Sequence, residues 1–206
     1  MKIPIFPLKL VMFPGAKYPL HIFEERYKLL IKYCIENDEG FGIVAASDEN
    51  PYKVGCFVRI SKILKRYENG NLDLTVTGLY RFSLISSEIG DDGYHIGEIE
   101  EFSDEIQYEK NDFLNEEAVE KFQIIVRRTD LYLSETFWRN LALSNRKSFK
   151  LAEKSGLSLE QQQSILSMKS ENSRLDFLVE HFSKVKEYLD RNEFMKDVIS
   201  GDGYLN

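Results

Sequence analysis

The first 27 residues constrain the fold more than any other stretch, because prolines recur among large apolar side chains. Pro4, Pro7, Pro14 and Pro19 each fix the backbone angle φ and lack an amide hydrogen, which excludes a continuous helix through them. The third of these prolines is followed by glycine, and a Pro-Gly pair is typical of a turn. Residues 3–19 are therefore predicted to be extended and interrupted by turns, with a helix beginning only after the last proline.

The segment after the last of these prolines predicts one amphipathic helix. Charged residues separate its apolar residues, which recur at helical spacing. The apolar residues are Phe23, Tyr27, Leu30, Ile31, Cys34 and Ile35. The run Asn37-Asp38-Glu39-Gly40 is a typical helix exit. Residues 41–46 then predict a short buried strand.

A series of strands is predicted next. Residues 56–66 alternate with a period close to two, which is the spacing of a β-strand. Asn69-Gly70 separates this run from residues 72–77, and Asn-Gly between two strand-like runs is the strongest short-range signal for a hairpin. Gly78 is predicted to interrupt the chain before two further strands, at residues 80–85 and 94–99. The first hundred residues therefore predict about six strands and one helix.

The composition changes at Glu98. Between Glu98 and Glu120 the chain carries ten acidic residues against a single lysine, Lys110. Such a run is typical of a solvated connector followed by an acidic first helical turn, where negative charge complements the helix dipole. We place the domain boundary near residues 104–111.

Beyond this boundary the apolar residues recur at helical spacing. One predicted helix carries the stripe Leu114, Ala118, Phe122, Ile125, Thr129 and Leu133. Ser158, with Gln161 three residues later, forms a capping-box pattern at the start of another helix. A last helix is predicted from about Ser170. The sequence thus predicts an α+β protein: a β-rich subdomain over residues 1–104, a helical bundle over 112–200 and a tail over 201–206.

Size and charge bound the function. A chain of 206 residues buries about 70% of its unfolded surface, enough for a sizeable core. The formal net charge of −7 repels phosphate backbones on average, which argues against a nucleic-acid partner. No apolar run approaches the roughly 18 residues of a membrane span. Cys34 and Cys56 are most simply two reduced thiols, with a disulfide between them the less favoured alternative, and we expect a cytoplasmic protein.

Motifs for catalysis are missing from the sequence. No two glycines stand five positions apart, so there is no phosphate-binding G-x-x-x-x-G-K loop. Residues 40–45 imitate a dinucleotide fingerprint, but they follow a helix and open a strand, which is the reverse of the required order. His21, His95 and His181 lack the spacing of metal ligands. We therefore predict no catalytic, cofactor-binding or metal-binding residues, and no enzyme activity.

Several ordered blocks of the sequence resemble the N-terminal domain of Lon proteases, the LON substrate-binding domain. In the first half these blocks are Ile5–Leu8, Phe13–Gly15, Pro19–Tyr27, Phe41–Val44, Val54–Cys56 and Thr77–Phe82. In the second half they are Leu151–Ser158, Gln161–Leu166 and Ser173–Leu175. The resemblance implies a PUA-like β pseudobarrel followed by an all-α bundle, which agrees with the element predictions above.

The resemblance also implies a function. The family's domain helps to recognise unfolded or tagged polypeptides, so we expect a non-catalytic polypeptide-binding protein, an adaptor or holdase, that could serve a protease or chaperone partner. Full-length Lon proteases continue into ATPase and peptidase domains, whereas this sequence ends at Asn206; we therefore expect no ATP-dependent peptidase activity in these residues. Two alternatives stay open: an RNA- or small-molecule-binding PUA-like module, and a structural protein that self-associates through its last helix.

Candidate peptide contacts lie in the opening motif, at Phe13, Pro14, Tyr18, Pro19 and Leu20. A structural role is the favoured alternative for them, because apolar residues are more often core and prolines fix the path of the chain.

An ion pair is predicted between the first helix and a strand. It would join Arg26 and Arg81, with Glu24 as the acidic partner, in a partly buried position.

Overall fold

The computed structural model describes residues 1–46, 52–105, 111–129 and 131–201, with side chains described up to residue 192. The chain divides into two compact units. The barrel unit comprises residues 1–106 and 156–169, and the helical unit comprises residues 107–155 and 170–206. Each unit is described by itself.

Within the described residues the chain forms six strands and six helices. The strands are β1 (Lys2–Leu8), β2 (Lys17–Ile22), β3 (Phe41–Ala45), β4 (Val54–Arg66), β5 (Leu72–Ile89) and β6 (His95–Glu101). The helices are α1 (Glu25–Glu36), α2 (Asp112–Arg128), α3 (Glu135–Leu143), α4 (Lys147–Ala152), α5 (Leu159–Ser167) and α6 (Glu171–Gly201). The predicted α+β class is confirmed.

The sheet of the barrel unit closes on itself. Its strand order is β2-β5-β4-β3-β1-β6, and β6 pairs with β5 again. This closure is achieved because β5 is long: residues 72–83 pair with β4, while residues 82–89 pair with β6. β1 and β3 pair in parallel, which requires a crossover, and α1 lies in that connection. The predicted PUA-like pseudobarrel has this closed sheet as its basis.

The number of strands agrees with the prediction, but two strand boundaries differ. The opening stretch, predicted as one extended segment interrupted by turns, forms two separate strands, β1 and β2. The predicted interruption at Gly78 is wrong, because β5 runs through it without a break. Gly78 lacks a side chain and so lets another backbone segment approach the strand while the strand itself continues.

The two prolines of β1 fit the pairing pattern of that strand. Pro4 pairs in register with Ile96 of β6, and Pro7 pairs with Val44 of β3. Near each proline, β1 has a strand partner on one side only. Proline lacks an amide hydrogen, and no hydrogen bond between strands is lost where its nitrogen faces the unpaired side.

The core of the barrel unit consists of large apolar side chains from most of its strands. One cluster of buried core residues contains Ile3, Ile5, Val44, Phe57, Phe82 and Ile99. α1 is anchored to the barrel by its Tyr27 ring, which stacks on Phe6 of β1 at a centroid distance of 3.9 Å. Each such side chain contributes roughly 1.5–3 kcal/mol when fully buried.

α5 belongs to the barrel unit, although the sequence places it in the helical half. Gln163 of α5 donates a hydrogen bond from Nε2 to the Val54 carbonyl of β4 at 3.0 Å. A single boundary near residues 104–111 therefore does not describe the division, since the chain returns to the barrel at residues 156–169. Most of the predicted boundary, residues 106–110, lies outside the described residues, as do residues 202–206 of the predicted tail.

The helical unit is built around aromatic side chains. Phe122 of α2 lies 5.6 Å from the Phe182 ring of α6 and 6.0 Å from the Phe137 ring of α3. The predicted continuation of α2 to Leu133 is wrong: the helix ends at Arg128, and Thr129 caps it by hydrogen bonds to the Ile125 carbonyl. The capping box predicted at the start of α5 in the barrel unit is confirmed.

Candidate functional site

The opening motif serves the barrel more than the surface. Phe13 and Leu20 are only 2% and 8% exposed, so neither can contact a ligand without rearrangement. Pro14 is half-buried, whereas Tyr18 and Pro19 of β2 are exposed. The predicted peptide contacts are therefore corrected for Phe13 and Leu20, whose apolar side chains are part of the core.

Backbone hydrogen bonds explain why this motif folds as it does. The Gly15 amide donates to the Gly78 carbonyl at 2.9 Å, and the Gly78 amide donates to the Ala16 carbonyl at 2.9 Å. Gly15 has φ of +80°, a conformation that glycine adopts without strain. A Cβ atom at position 78 would lie 2.3 Å from the Phe13 carbonyl oxygen. The turn therefore holds β2 against β5, and it requires glycine at positions 15 and 78.

β2 is an edge strand over its whole length. It pairs with β5 from Lys17 to Ile22, and its other edge faces no strand within the described residues. Pro19 stands in the middle of this edge, where proline limits unwanted strand pairing. Tyr18 and Pro19 stay candidates for peptide contact on this edge.

The predicted ion pair between α1 and β5 is wrong. Arg26 pairs with Glu24, two residues away, at 2.7 Å on the surface. Arg81 is 2% exposed and instead donates to Asp104 Oδ1 at 2.5 Å and to the carbonyls of Leu166 and Met168. A buried guanidinium needs partners for several N–H groups, and the C-terminal end of α5 supplies two carbonyls that one carboxylate could not replace.

An open concavity of the barrel unit lies between α1 and the hairpin that joins β4 to β5. We call it the hairpin groove. It has a volume of about 460 Å³, within the range of ligand-binding sites. Its side-chain lining comprises Lys28, Lys32, Ile35, Glu36, Arg66, Tyr67, Asn71 and Leu72.

The hairpin groove combines apolar and cationic side chains. Ile35, Tyr67 and Leu72 supply the apolar surface, and Lys28, Lys32 and Arg66 supply positive charge. A smaller groove of about 290 Å³ adjoins it, lined by the same Ile35 and by residues of β4.

Tyr67 is held by a polar cluster on β2 and β5. Its hydroxyl donates to Asp73 Oδ2 at 2.7 Å, and Asp73 Oδ1 lies 2.6 Å from Nδ1 of His21. These hydrogen bonds, that of His21 first, hold the pKa of the Asp73 carboxyl below its ordinary value. Lys65 Nζ lies 4.4 Å from the centre of the Tyr67 ring, a cation–π contact. The cluster therefore fixes one wall of the hairpin groove.

The residues of the hairpin groove were not predicted as a site. Ile35 belongs to the apolar stripe that predicts α1, yet it is 39% exposed, and Phe23 of the same stripe lies before the helix and is 60% exposed. The Asn69-Gly70 signal correctly places the hairpin. It does not show that α1 packs beside that hairpin, which depends on tertiary structure.

Two cysteines lie in the barrel unit, and both are free and buried. Burial raises the pKa of Cys34 to about 12, and it does the same for Cys56. The thiolate is the reactive form of cysteine, so neither residue is suited to nucleophilic chemistry near neutral pH. Within the described ranges, no group of three or more His, Cys, Asp or Glu residues could hold a metal ion. No helix in the described part of the chain is long and apolar enough to cross a membrane.

We expect both thiols to resist alkylation in the folded protein. At pH 8 a thiol of pKa about 12 is roughly one ten-thousandth ionised, so iodoacetamide should react on the order of a thousandfold more slowly than with an exposed cysteine. Mass spectrometry of a labelling time course measures this rate, with the protein in concentrated urea as the control in which both sites react. Rapid labelling of either native thiol would contradict the burial described here.

The barrel unit therefore combines a closed sheet with an open concavity beside α1. A family model for the ATP-dependent protease La (LON) substrate-binding domain matches residues 2–184. The chain belongs to this family. The matched family is described as a substrate-binding domain, which supports a role in substrate recognition.

Relatives and solved structures agree with this assignment. Lon protease 2 of Myxococcus xanthus is 37% identical over 92 residues, which cover 40% of this chain and 11% of that protein. Lon protease of Escherichia coli strain K12 is 25% identical over 192 residues, which cover 87% of this chain and 24% of that protein. The chain therefore spans a quarter or less of these relatives.

Solved structures cover the chain more fully. The crystal structure of a Lon N-terminal domain protein from Xanthomonas campestris aligns with a TM-score of 0.68 and 28% identity, covering 87% of this chain and 97% of that one. The N-terminal domain of a Mycobacterium avium complex Lon protease aligns with a TM-score of 0.65 at 17% identity, covering 89% and 98% of the two chains, and supports the fold alone.

Proposed function

We propose that this protein binds segments of non-native polypeptide, as an adaptor or holdase, without chemistry of its own. The hairpin groove is the observation that carries the proposal. Its volume of about 460 Å³ and its mixed apolar and polar lining suit a polypeptide side chain with its flanking backbone. An adaptor of this kind would deliver its client to an ATP-driven protease or chaperone.

Ile35 is the residue of the groove best suited to a test. It is exposed, it is apolar, and it lies on a helix that is anchored independently by buried residues such as Leu30 and Ile31. Burying its side chain against a client removes apolar surface from water, which is the main favourable term in such binding.

We expect the substitution Ile35→Gln to weaken binding of an unfolded client about tenfold, because part of an isoleucine side chain contributes on the order of 1.4 kcal/mol when buried. The client is a permanently unfolded, carboxymethylated protein with a fluorescent label, and the measurement is fluorescence anisotropy. Leu29→Gln is the matched control, since Leu29 lies on the same helix at 43% exposure but does not line the groove. Binding that is absent in the unaltered protein at high micromolar concentration would refute the proposal.

The same assay separates the competing functions. A labelled single-stranded RNA that binds more tightly than the unfolded client would favour a nucleic-acid module. Light scattering at two protein concentrations measures self-association, and a mass that rises with concentration would favour the structural alternative.

A further inference from the structure

We infer that the hairpin groove selects polypeptide segments in which a large apolar residue is flanked by acidic residues. This inference rests on the proposed function and adds the chemical class of the client. The groove combines an apolar surface with a cationic rim. The apolar residue of such a client would pack on the apolar surface, and its acidic residues would pair with the cations of the rim.

The cations of the rim differ in how far they are already neutralised. Lys28 Nζ donates to Glu25 at 2.8 Å and to the Asn69 carbonyl at 3.1 Å, so its charge is largely compensated. Lys32 Nζ lies 3.8 Å from Glu36 Oε1 in an exposed pair, and such pairs are weak. Lys32 therefore keeps most of its attraction for an acidic client.

Arg66 is the strongest candidate for recognition of a carboxylate. Its side chain is exposed and makes no ion pair or hydrogen bond with the residues that the structure describes. A guanidinium can bind a carboxylate with two parallel hydrogen bonds. Lys62 and Lys65 precede it on β4 and add positive charge, while Glu36 is the one acidic residue that lines the groove within the described ranges.

The net charge of −7 repels an acidic client, whereas the cations of the groove attract it. Which of the two dominates depends on the distance over which each acts. At physiological ionic strength, interactions between exposed charges are largely screened beyond about 8 Å. Acidic residues farther than this from the groove then act weakly on a bound segment, whereas Lys32 and Arg66 line the groove and act at contact distance. The local charge therefore determines the preference, and the net charge lowers the rate of encounter.

The test uses three labelled peptides of equal length, each with one central phenylalanine. The flanks are glutamate and serine in the first, glutamine and serine in the second, and lysine and serine in the third. We expect the acidic peptide to bind at least about fivefold more tightly than the neutral one in anisotropy titrations, and the basic peptide to bind least tightly. The preference should shrink at 0.5 M salt, because screening removes its cause.

Charge reversal tests the assignment to Arg66. Arg66→Glu should weaken binding of the acidic peptide on the order of tenfold, because it replaces an attraction by a repulsion, and should leave the neutral peptide within about twofold. Lys53→Glu is the matched control: Lys53 is exposed and precedes β4 at the end opposite to Arg66. Thermal unfolding of each variant checks that the fold is retained.

The outcomes are distinguishable. Equal binding of the acidic and neutral peptides, with the unfolded client still bound, would overturn the inference and leave the proposed function standing. Failure of the peptides and the unfolded client alike would overturn both. Tighter binding of a single-stranded RNA than of the acidic peptide, with a loss in Arg66→Glu, would overturn the inference by assigning the cations to phosphate.

Discussion

Replacing Arg81 with methionine is expected to lower the free energy of unfolding of the barrel unit by about 3 kcal/mol, near the lower end of the range for removing one partner of a buried ion pair. Arg81 is 2% exposed and lies on β5, with Asp104 Oδ1 at 2.5 Å. Methionine retains much of the buried volume, so the change removes charge and hydrogen bonds more than packing.

The loss has a second cause at the end of α5. Arg81 Nη1 donates to the Leu166 carbonyl at 2.8 Å and to the Met168 carbonyl at 2.6 Å. Carbonyls at a helix C-terminus have no partner within the helix, and leaving one buried without a donor costs about 1–3 kcal/mol. We therefore expect α5 to lose protection first in native-state hydrogen exchange, before the strands of the barrel.

Asp104→Asn is the matched control for Arg81→Met. Asparagine keeps an oxygen that can accept the Arg81 hydrogen bond, and the two carbonyl contacts of Arg81 remain, but a carboxylate charge beside the buried guanidinium is lost. Because Asp104 is itself 16% exposed, this variant should lose somewhat less stability than Arg81→Met, about 2 kcal/mol. Urea unfolding followed by hydrogen exchange at barrel amides measures both variants. A value for Arg81→Met within about 0.5 kcal/mol of the unaltered protein would show that the interaction contributes nothing beyond an average surface residue.

Local patterns predict the elements of the barrel better than their assembly. The Asn-Gly hairpin and the alternation along β4 depend on neighbouring residues, and both are present in the structure. The closure of the sheet depends on β5, whose two halves have different partners, and Gly78 at its centre gives the sequence signal of a break. A glycine that admits another backbone segment and a glycine that ends a strand look alike in sequence.

The partners of a buried arginine are side-chain contacts that the sequence does not predict. Arg81 contacts Leu166, 85 residues further along the chain, and no local pattern reports such a pairing. Arginine is almost never fully buried without a partner, so sequence alone favours an exposed or surface-paired position. The hairpin groove shows the same limit, because its two sides come from α1 and from the β4–β5 hairpin.

The helical unit contains a second buried charge network, and it provides the other large expected effect. Arg174 of α6 is 0% exposed, and its Nη2 donates to Glu171 Oε2 at 2.8 Å. The same carboxylate accepts hydrogen bonds from the amide and the hydroxyl of Ser148 in the first turn of α4, at 2.9 and 2.5 Å. Glu171 thus joins the start of α6 to the start of α4, which has no side-chain cap of its own.

Substituting Glu171 with glutamine is expected to destabilise the helical unit by about 3–4 kcal/mol, because it removes the carboxylate that pairs with the buried Arg174 guanidinium. Arg174→Met should cost about 3 kcal/mol, because it removes the cation that pairs with the buried Glu171 carboxylate. It also removes the contact of the guanidinium with the Phe149 ring at 4.4 Å. Trp138 is the single tryptophan of the chain and lies in this unit, 6.0 Å from the Phe122 ring, so its fluorescence in urea follows this unit selectively.

The double variant Glu171→Gln, Arg174→Met distinguishes a coupled pair from two independent contributions. Once the Glu171 carboxylate is gone, the buried guanidinium has already lost the charge that pairs with it, so the second substitution should cost little or even restore stability. We expect the double variant to be at least about 2 kcal/mol more stable than the sum of the single losses predicts. Additive losses would mean that packing around α4 and α6, and not the ion pair, accounts for the effect of each substitution.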